Sequence, residues 1–300
     1  MTIPGPAATL KTAMQSGIHI HHRPPVNQPT LIAGFDGWGN ALNVSEGMAS
    51  YLIRKLDAEV FAELDPDLYF RYDKDRPTVE IEQGEVKDIS FPGGSFYWAK
   101  ASPIQGRILV LRSHEPQLNW RHFVNDLLSF CHDLNVRTII TLGGMYDNVL
   151  HSDRIMSGMA SNETLAARLK EKQLGPITYK GPSAIHSIIL SEGGERGYNC
   201  LSLWCHCPYY LEGITHFGLL SHLGSLLASL AGFDLDTADM EKRWRELNLQ
   251  IQELIEKNPE LQGMLSEIRK EKIKGSRQEM KRSSKMDQKI INLNDFINPR

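Results

Sequence analysis

Two short stretches hold side chains able to move protons or ligate metal. His114-Glu115 closes the apolar run Ile108-Leu109-Val110-Leu111, while Tyr146, Asp147 and His151 follow a second run, Thr138-Ile139-Ile140-Thr141-Leu142. Imidazole and carboxylate together can relay a proton or hold a cation. The spacing adds little to the residue types, because there is no H-E-x-x-H, no G-x-S-x-G elbow and no close histidine pair on a helix. His151-Ser152-Asp153 contains the residue types of a triad, but three consecutive residues cannot arrange themselves as one; a nucleophile here needs partners from elsewhere in the chain. Catalysis by His114, Glu115, Asp147 and His151 is therefore the second expectation, behind a polar network that fixes loops at an interface.

Two other clusters raise metal or nucleotide binding and then weaken it. Cys200, Cys205, His206 and Cys207 lack paired C-x-x-C spacing, and strand alternation sends Cys205 and Cys207 to one face and His206 to the other. Buried free thiols are the expectation, with no metal site. Gly34-Phe35-Asp36-Gly37-Trp38-Gly39 is neither a Rossmann fingerprint nor a P-loop, so its glycines read as tight strand-to-helix packing and no cofactor is expected.

These residues need a sheet to position them. Leu31 to Phe35 reads as a first core strand, followed by a glycine turn and a helix from Leu42 with Ser45, Ala49, Leu52, Ile53 and Leu56 on one face. Ala58 to Leu64 is a strand; Val79 and Ile81 alternate with Glu80 and Glu82 in a hairpin or small edge sheet; Phe96-Tyr97-Trp98 is a further strand with core the favoured place for its rings. After Ile108 to Leu111, a stripe from Trp120 to Leu134 predicts a helix, and Thr138 to Leu142 predicts a parallel neighbouring strand that breaks at Gly143-Gly144. This order puts His114, Glu115, Tyr146, Asp147 and His151 on one rim, at the carboxyl ends of the strands, where open α/β sheets meet ligands.

Beyond the rim, Asn162 and Glu163 start a helix, Ala184 to Leu190 reads as a strand, Glu192 to Tyr198 as a loop or short helix, and Leu201 to Cys207 as a buried strand ending at Pro208-Tyr209-Tyr210. Phe217 to Leu230 is an almost wholly apolar helix. Trp244, Leu247, Ile251, Leu254 and Ile255, then Leu261, Met264, Leu265 and Ile268, mark stripes suited to packing on the body or on another subunit.

Composition bounds the rest. With 300 residues, 41% hydrophobic content and net charge −3, the chain can bury a large core and lacks the basic footprint of a nucleic-acid binder. Nine Lys/Arg against four Asp/Glu between Leu265 and Lys289 make the tail basic and leave the body acidic. No stretch approaches the roughly 18 apolar residues of a membrane span, and the N-terminus lacks the apolar centre of a secretion signal. Four cysteines in a chain of this size favour a reducing, cytoplasmic compartment. The expected layout is an extended arm (1–28), an α/β domain (29–232), a helical extension (233–272) and a flexible basic tail (273–300).

Taken in order, Leu31 to Gly39, Arg76-Pro77, His114-Glu115-Pro116 with Trp120, Leu142-Gly143-Gly144 through His151, Gly181-Pro182-Ser183 and Pro208-Tyr209-Tyr210 resemble the PAC2 family, named for a proteasome assembly chaperone. The resemblance runs from about Pro29 to Gly232, with a helical extension to about Arg269. It implies a phosphorylase/hydrolase-like α/β sheet flanked by helices, with a small β-rich insertion. It also implies a non-catalytic assembly chaperone or interaction subunit that self-associates as a dimer or trimer, with proteasome subunits or another protein as client. The alternative is a small-molecule enzyme of hydrolase, phosphorylase or carboxylate-amine ligase type at the rim. The candidate binding residues are Asp36, Trp38, Glu115, Tyr146, His151, Tyr209 and Tyr210. Two departures stand out: Leu150-His151 where relatives carry Pro-His, and a terminal Asn298-Pro299-Arg300 where proteasome-docking chaperones carry hydrophobic-Tyr-any.

Overall fold

The computed structural model describes residues 16–100, 107–273 and 293. In chain order the elements are β1 (Ile18–Ile20), β2 (Thr30–Asp36), α1 (Val44–Lys55), β3 (Ala58–Leu64), α2 (Pro66–Tyr69), β4 (Thr78–Glu82), β5 (Glu85–Ser90), β6 (Gly94–Ala99), β7 (Ile108–His114) and α3 (Trp120–Asp133). There follow β8 (Thr138–Asp147), β9 (Met156–Ala160), α4 (Glu163–Glu171), β10 (Gly175–Pro176), α5 (Ile185–Glu195), β11 (Asn199–Pro208), α6 (Phe217–Ala231), α7 (Ala238–Lys257) and α8 (Pro259–Ile273).

Nine of the strands form one mixed sheet in the order β1-β3-β6-β7-β2-β8-β11-β9-β10, and β4 and β5 form a separate hairpin. The centre, β7-β2-β8-β11, is parallel. Helices cover both faces of it, so these strands are apolar on both sides and read as near-continuous hydrophobic runs. One face carries α1 and α6, with α7 and α8 layered outside; its core includes Ile32, Val110, Ile140, Leu142, Leu203 and Leu223. The other carries α3 and α5 over Leu31, Phe35, Leu109, Leu111, Phe123 and Ile139. Gly232, at φ 71°, ends α6 in the left-handed region that glycine tolerates best.

Several sequence expectations change. Gly143 and Gly144 do not break the strand, since β8 runs on to Asp147. They are small because both faces are crowded: a Cβ on Gly143 would lie 2.7 Å from the Trp204 ring, and one on Gly144 2.5 Å from Val44. The segment from Ala184 is not a strand but the start of α5, whose Ile185, His186 and Ile189 face inward at helical spacing. β7 and β8 are parallel as expected, but β2 lies between them. The first helix starts at Val44, after a short turn at Ala41–Asn43, rather than at Leu42.

The ends of the chain also differ from the sequence reading. His19 and Ile20 belong to β1, paired antiparallel with β3, so residues 18–20 of the expected arm are part of the sheet. Residues 1–15 and most of the expected tail lie outside the described residues, but Leu293 is fully buried and its N–H donates to the Tyr210 carbonyl at 3.0 Å. The C-terminal stripes bury Trp244, Ile251, Leu261, Leu265 and Ile268 on the body itself. Arg154 holds α7 through two contacts to Glu241, 2.6 and 3.0 Å, and Tyr51 donates to Asp239 at 2.6 Å.

Candidate functional site

The carboxyl-end rim is built by register. Asp36 pairs with His114 across β2 and β7, and Pro208 pairs with Asp147 across β11 and β8. Where β2 and β8 part, Ser45 of α1 fills the gap: its hydroxyl donates to the Leu142 carbonyl at 2.6 Å and accepts the Phe35 N–H at 2.9 Å. The imidazole of His186 donates to the same carbonyl at 2.7 Å through Nε2. Burial lowers its pKa to about 4, so it sits there neutral.

Glu115 turns inward from this rim. One carboxylate oxygen accepts the Ile185 N–H at the start of α5, 2.8 Å, and the other accepts the Trp38 N–H at 3.3 Å. Burial raises its pKa and the two backbone hydrogen bonds oppose that rise. A carboxylate committed to a helix N-terminus and a loop amide acts as a positioning group.

His114 and Asp36 face outward, 3.9 Å apart between Nδ1 and Oδ2, with Asp75 at 4.0 Å. They border a cleft of about 670 Å³ together with Glu46, Arg112, Tyr97 and, from the hairpin side, Ile89 and Phe91. Trp38 and Tyr146, the latter near the end of β8, are exposed.

His151 lies elsewhere and buried. Its backbone N–H donates to the Tyr210 hydroxyl at 2.6 Å, its Nδ1 is 3.0 Å from that oxygen, and its carbonyl accepts from His216 Nε2 at 3.0 Å. His216 caps α6 by accepting the Leu219 N–H and stacks on Trp244, centroids 4.2 Å apart. Desolvation brings both imidazoles down to about 4. His151 and Tyr210 thus join the rim loop to α6 and α7; Tyr209 packs edge-on against Tyr210 at 5.8 Å.

Asp147 finds a partner absent from the sequence expectation. Its Oδ2 lies 2.7 Å from His206 Nδ1, and His206 Nε2 lies 2.6 Å from Ser157 Oγ. Burial pushes the Asp147 carboxyl up, but the His206 hydrogen bond and the Asn148 N–H outweigh it and hold it below the usual carboxylate range. The rim residues therefore divide into four groups: Asp36 with His114 in the cleft, Glu115 on backbone, His151 with Tyr210 and His216, and Asp147 with His206 and Ser157. Sequence alone missed the last because β9, which carries Ser157, pairs antiparallel with β11 at the sheet's far side. The one available signal was the alternation that places His206 opposite Cys205 and Cys207.

All four cysteines are buried, and desolvation raises Cys200 and Cys205 to about 12, so they are thiols. Among the described residues no three His, Cys, Asp or Glu side chains gather to hold a metal ion. Likewise, no helix there is long and apolar enough to cross a membrane.

A mixed nine-stranded sheet with helices on both faces, a projecting hairpin and C-terminal helices defines the class of protein. The sequence profile of the PAC2 family matches residues 31–255, and the chain belongs to that family. Among solved structures it is similar to a PAC2 family protein from Streptomyces avermitilis, with 26% identity over 79% of this chain and 99% of that one, TM-score 0.70. It is also similar in fold to a Mycobacterium tuberculosis proteasome-assembly chaperone homologue, with 23% identity over 79% and 99% of the chains, TM-score 0.72. A third is a Pyrococcus furiosus archaeal proteasome activator, with 20% identity over 79% and 97%, TM-score 0.60. No curated protein matches the sequence.

Proposed function

We propose that this chain is an assembly or interaction subunit that self-associates through its hairpin and, as an oligomer, holds a protein client. The observation that carries this reading is the β4–β5 hairpin. Val79 pairs with Ile89 and Ile81 with Val86, so four apolar side chains share one face; with Phe91, each is 51–59% exposed. A register shift between Glu80 and Ile81 leaves Lys87 out of the ladder and keeps Val86 on the face of Ile89. The opposite face pairs Glu80 with Asp88 and Glu82 with Glu85.

An isolated two-stranded hairpin is marginal in water, and apolar pairs on one face with carboxylates on the other suit one side buried against a second copy. The likeness to a proteasome-assembly chaperone homologue and to a proteasome activator supports a proteasome subunit as client in a host that has one. Sedimentation velocity at micromolar concentration tests the reading. A discrete dimer or trimer that dissociates on Ile81→Glu with Ile89→Glu is expected; a monomeric parent chain overturns self-association.

A further inference from the structure

Ser157, His206 and Asp147 stand in the order that activates a serine hydroxyl. The three side chains project from one face of the sheet: Ser157 lies opposite Trp204 across β9 and β11, His206 is two residues further on, and Met145, two before Asp147, lies opposite His206 across β8 and β11. With Asp147 ionised, His206 Nδ1 carries the proton donated to it at 2.7 Å, leaving Nε2 to accept the Ser157 O–H at 2.6 Å. That is the tautomer a general base needs.

The surroundings suit the assignment. Ser157 is 7% exposed and the His206 side chain 14%, so the hydroxyl sits in a largely water-poor place, while the Asp147 side chain is 41% exposed at the rim. Gly175, the residue of β10 paired with Ser157, presents no side chain to its hydroxyl; even a Cβ there would lie 3.9 Å from Oγ. The segment 178–183, exposed throughout, leads from β10 to the start of α5.

We infer that Ser157 is an acyl-accepting nucleophile, with His206 its general base and Asp147 the residue that positions His206, and that the substrate class is a carboxylic ester. This activity is separate from the hairpin and from self-association. In the first step Ser157 Oγ bonds to the acyl carbon, its proton passes to His206 Nε2, and the ester C–O bond breaks as the alcohol leaves with that proton. In the second, water adds to the acyl carbon and gives a proton to His206; the Ser157–acyl bond then breaks, the carboxylic acid is released, and Ser157 recovers its proton.

The test uses the full chain and an alkyl fluorophosphonate, which bonds to an activated serine oxygen with loss of fluoride. Intact mass and peptide mapping should show one adduct, on Ser157. Ser157→Ala should remove it, and His206→Gln should slow labelling about 10²- to 10⁴-fold, the usual contribution of a general base. Asp147→Asn should leave the chain folded, slow labelling, and give a rate-against-pH curve displaced from the parent's. No adduct on the folded parent protein, an adduct on another serine, or labelling indifferent to His206→Gln each overturns the proposal.

Discussion

The Glu115 carboxylate accepts the backbone N–H of Ile185, 70 residues further along the chain, at 2.8 Å. It thereby fixes the start of α5 to the end of β7, and its second oxygen holds the Trp38 loop at 3.3 Å. Removing it leaves two amides without a charged acceptor, and hydrogen bonds to charged groups contribute about 1.5–3 kcal/mol. Glu115→Ala should therefore cost about 2 kcal/mol in denaturant unfolding, and Glu115→Gln less. An unchanged midpoint for both variants would remove the positioning role.

Gly143 is required by a ring. Its absent side chain leaves room for Trp204, which packs on His186 with centroids 5.0 Å apart and donates its indole N–H to Ser202 at 2.9 Å. Gly143→Ala would place a methyl 2.7 Å from that ring, and overpacking of this kind costs about 1–3 kcal/mol. A variant as stable as the parent would show that the ring yields freely.

Acid should loosen the molecule before its carboxylates titrate. Burial puts His151, His186 and His216 at about 4 in the folded protein, against 6.5 for an unburied imidazole. Between those values the unfolded chain binds more protons than the folded one, so stability is full above about pH 6.5 and falls as pH drops toward 4. Each group contributes at most about 1.4 kcal/mol per pH unit over that window. Urea unfolding from pH 7 to pH 5 should show a steep decline, and a flat profile would contradict the neutral assignment.

Much of this architecture is legible in the sequence, because parallel strands buried on both faces leave runs such as Ile108 to Leu111, and amphipathic helices leave stripes such as Phe123 to Cys131. α5 was not legible. Its Ile188-Ile189-Leu190 run has β-forming composition, and the capping carboxylate that starts the helix is Glu115, far away in the chain. Gly143-Gly144 imitates a turn because crowding on two faces and a chain reversal both call for glycine. The partition of the rim was also hidden: Asp147 and His151 are close in sequence, yet the first turns to His206 and the second to Tyr210. Which face a side chain takes after a strand ends depends on neighbours that come from other elements.

The hairpin reading reaches its most direct test in native mass spectrometry of the gently purified chain from its own host, run beside the Ile81→Glu, Ile89→Glu variant. The parent chain should fly as a discrete oligomer that retains a second protein, and the variant should be folded, monomeric and without that partner. A parent chain that flies as a bare monomer, or a variant with the parent's mass, would contradict it.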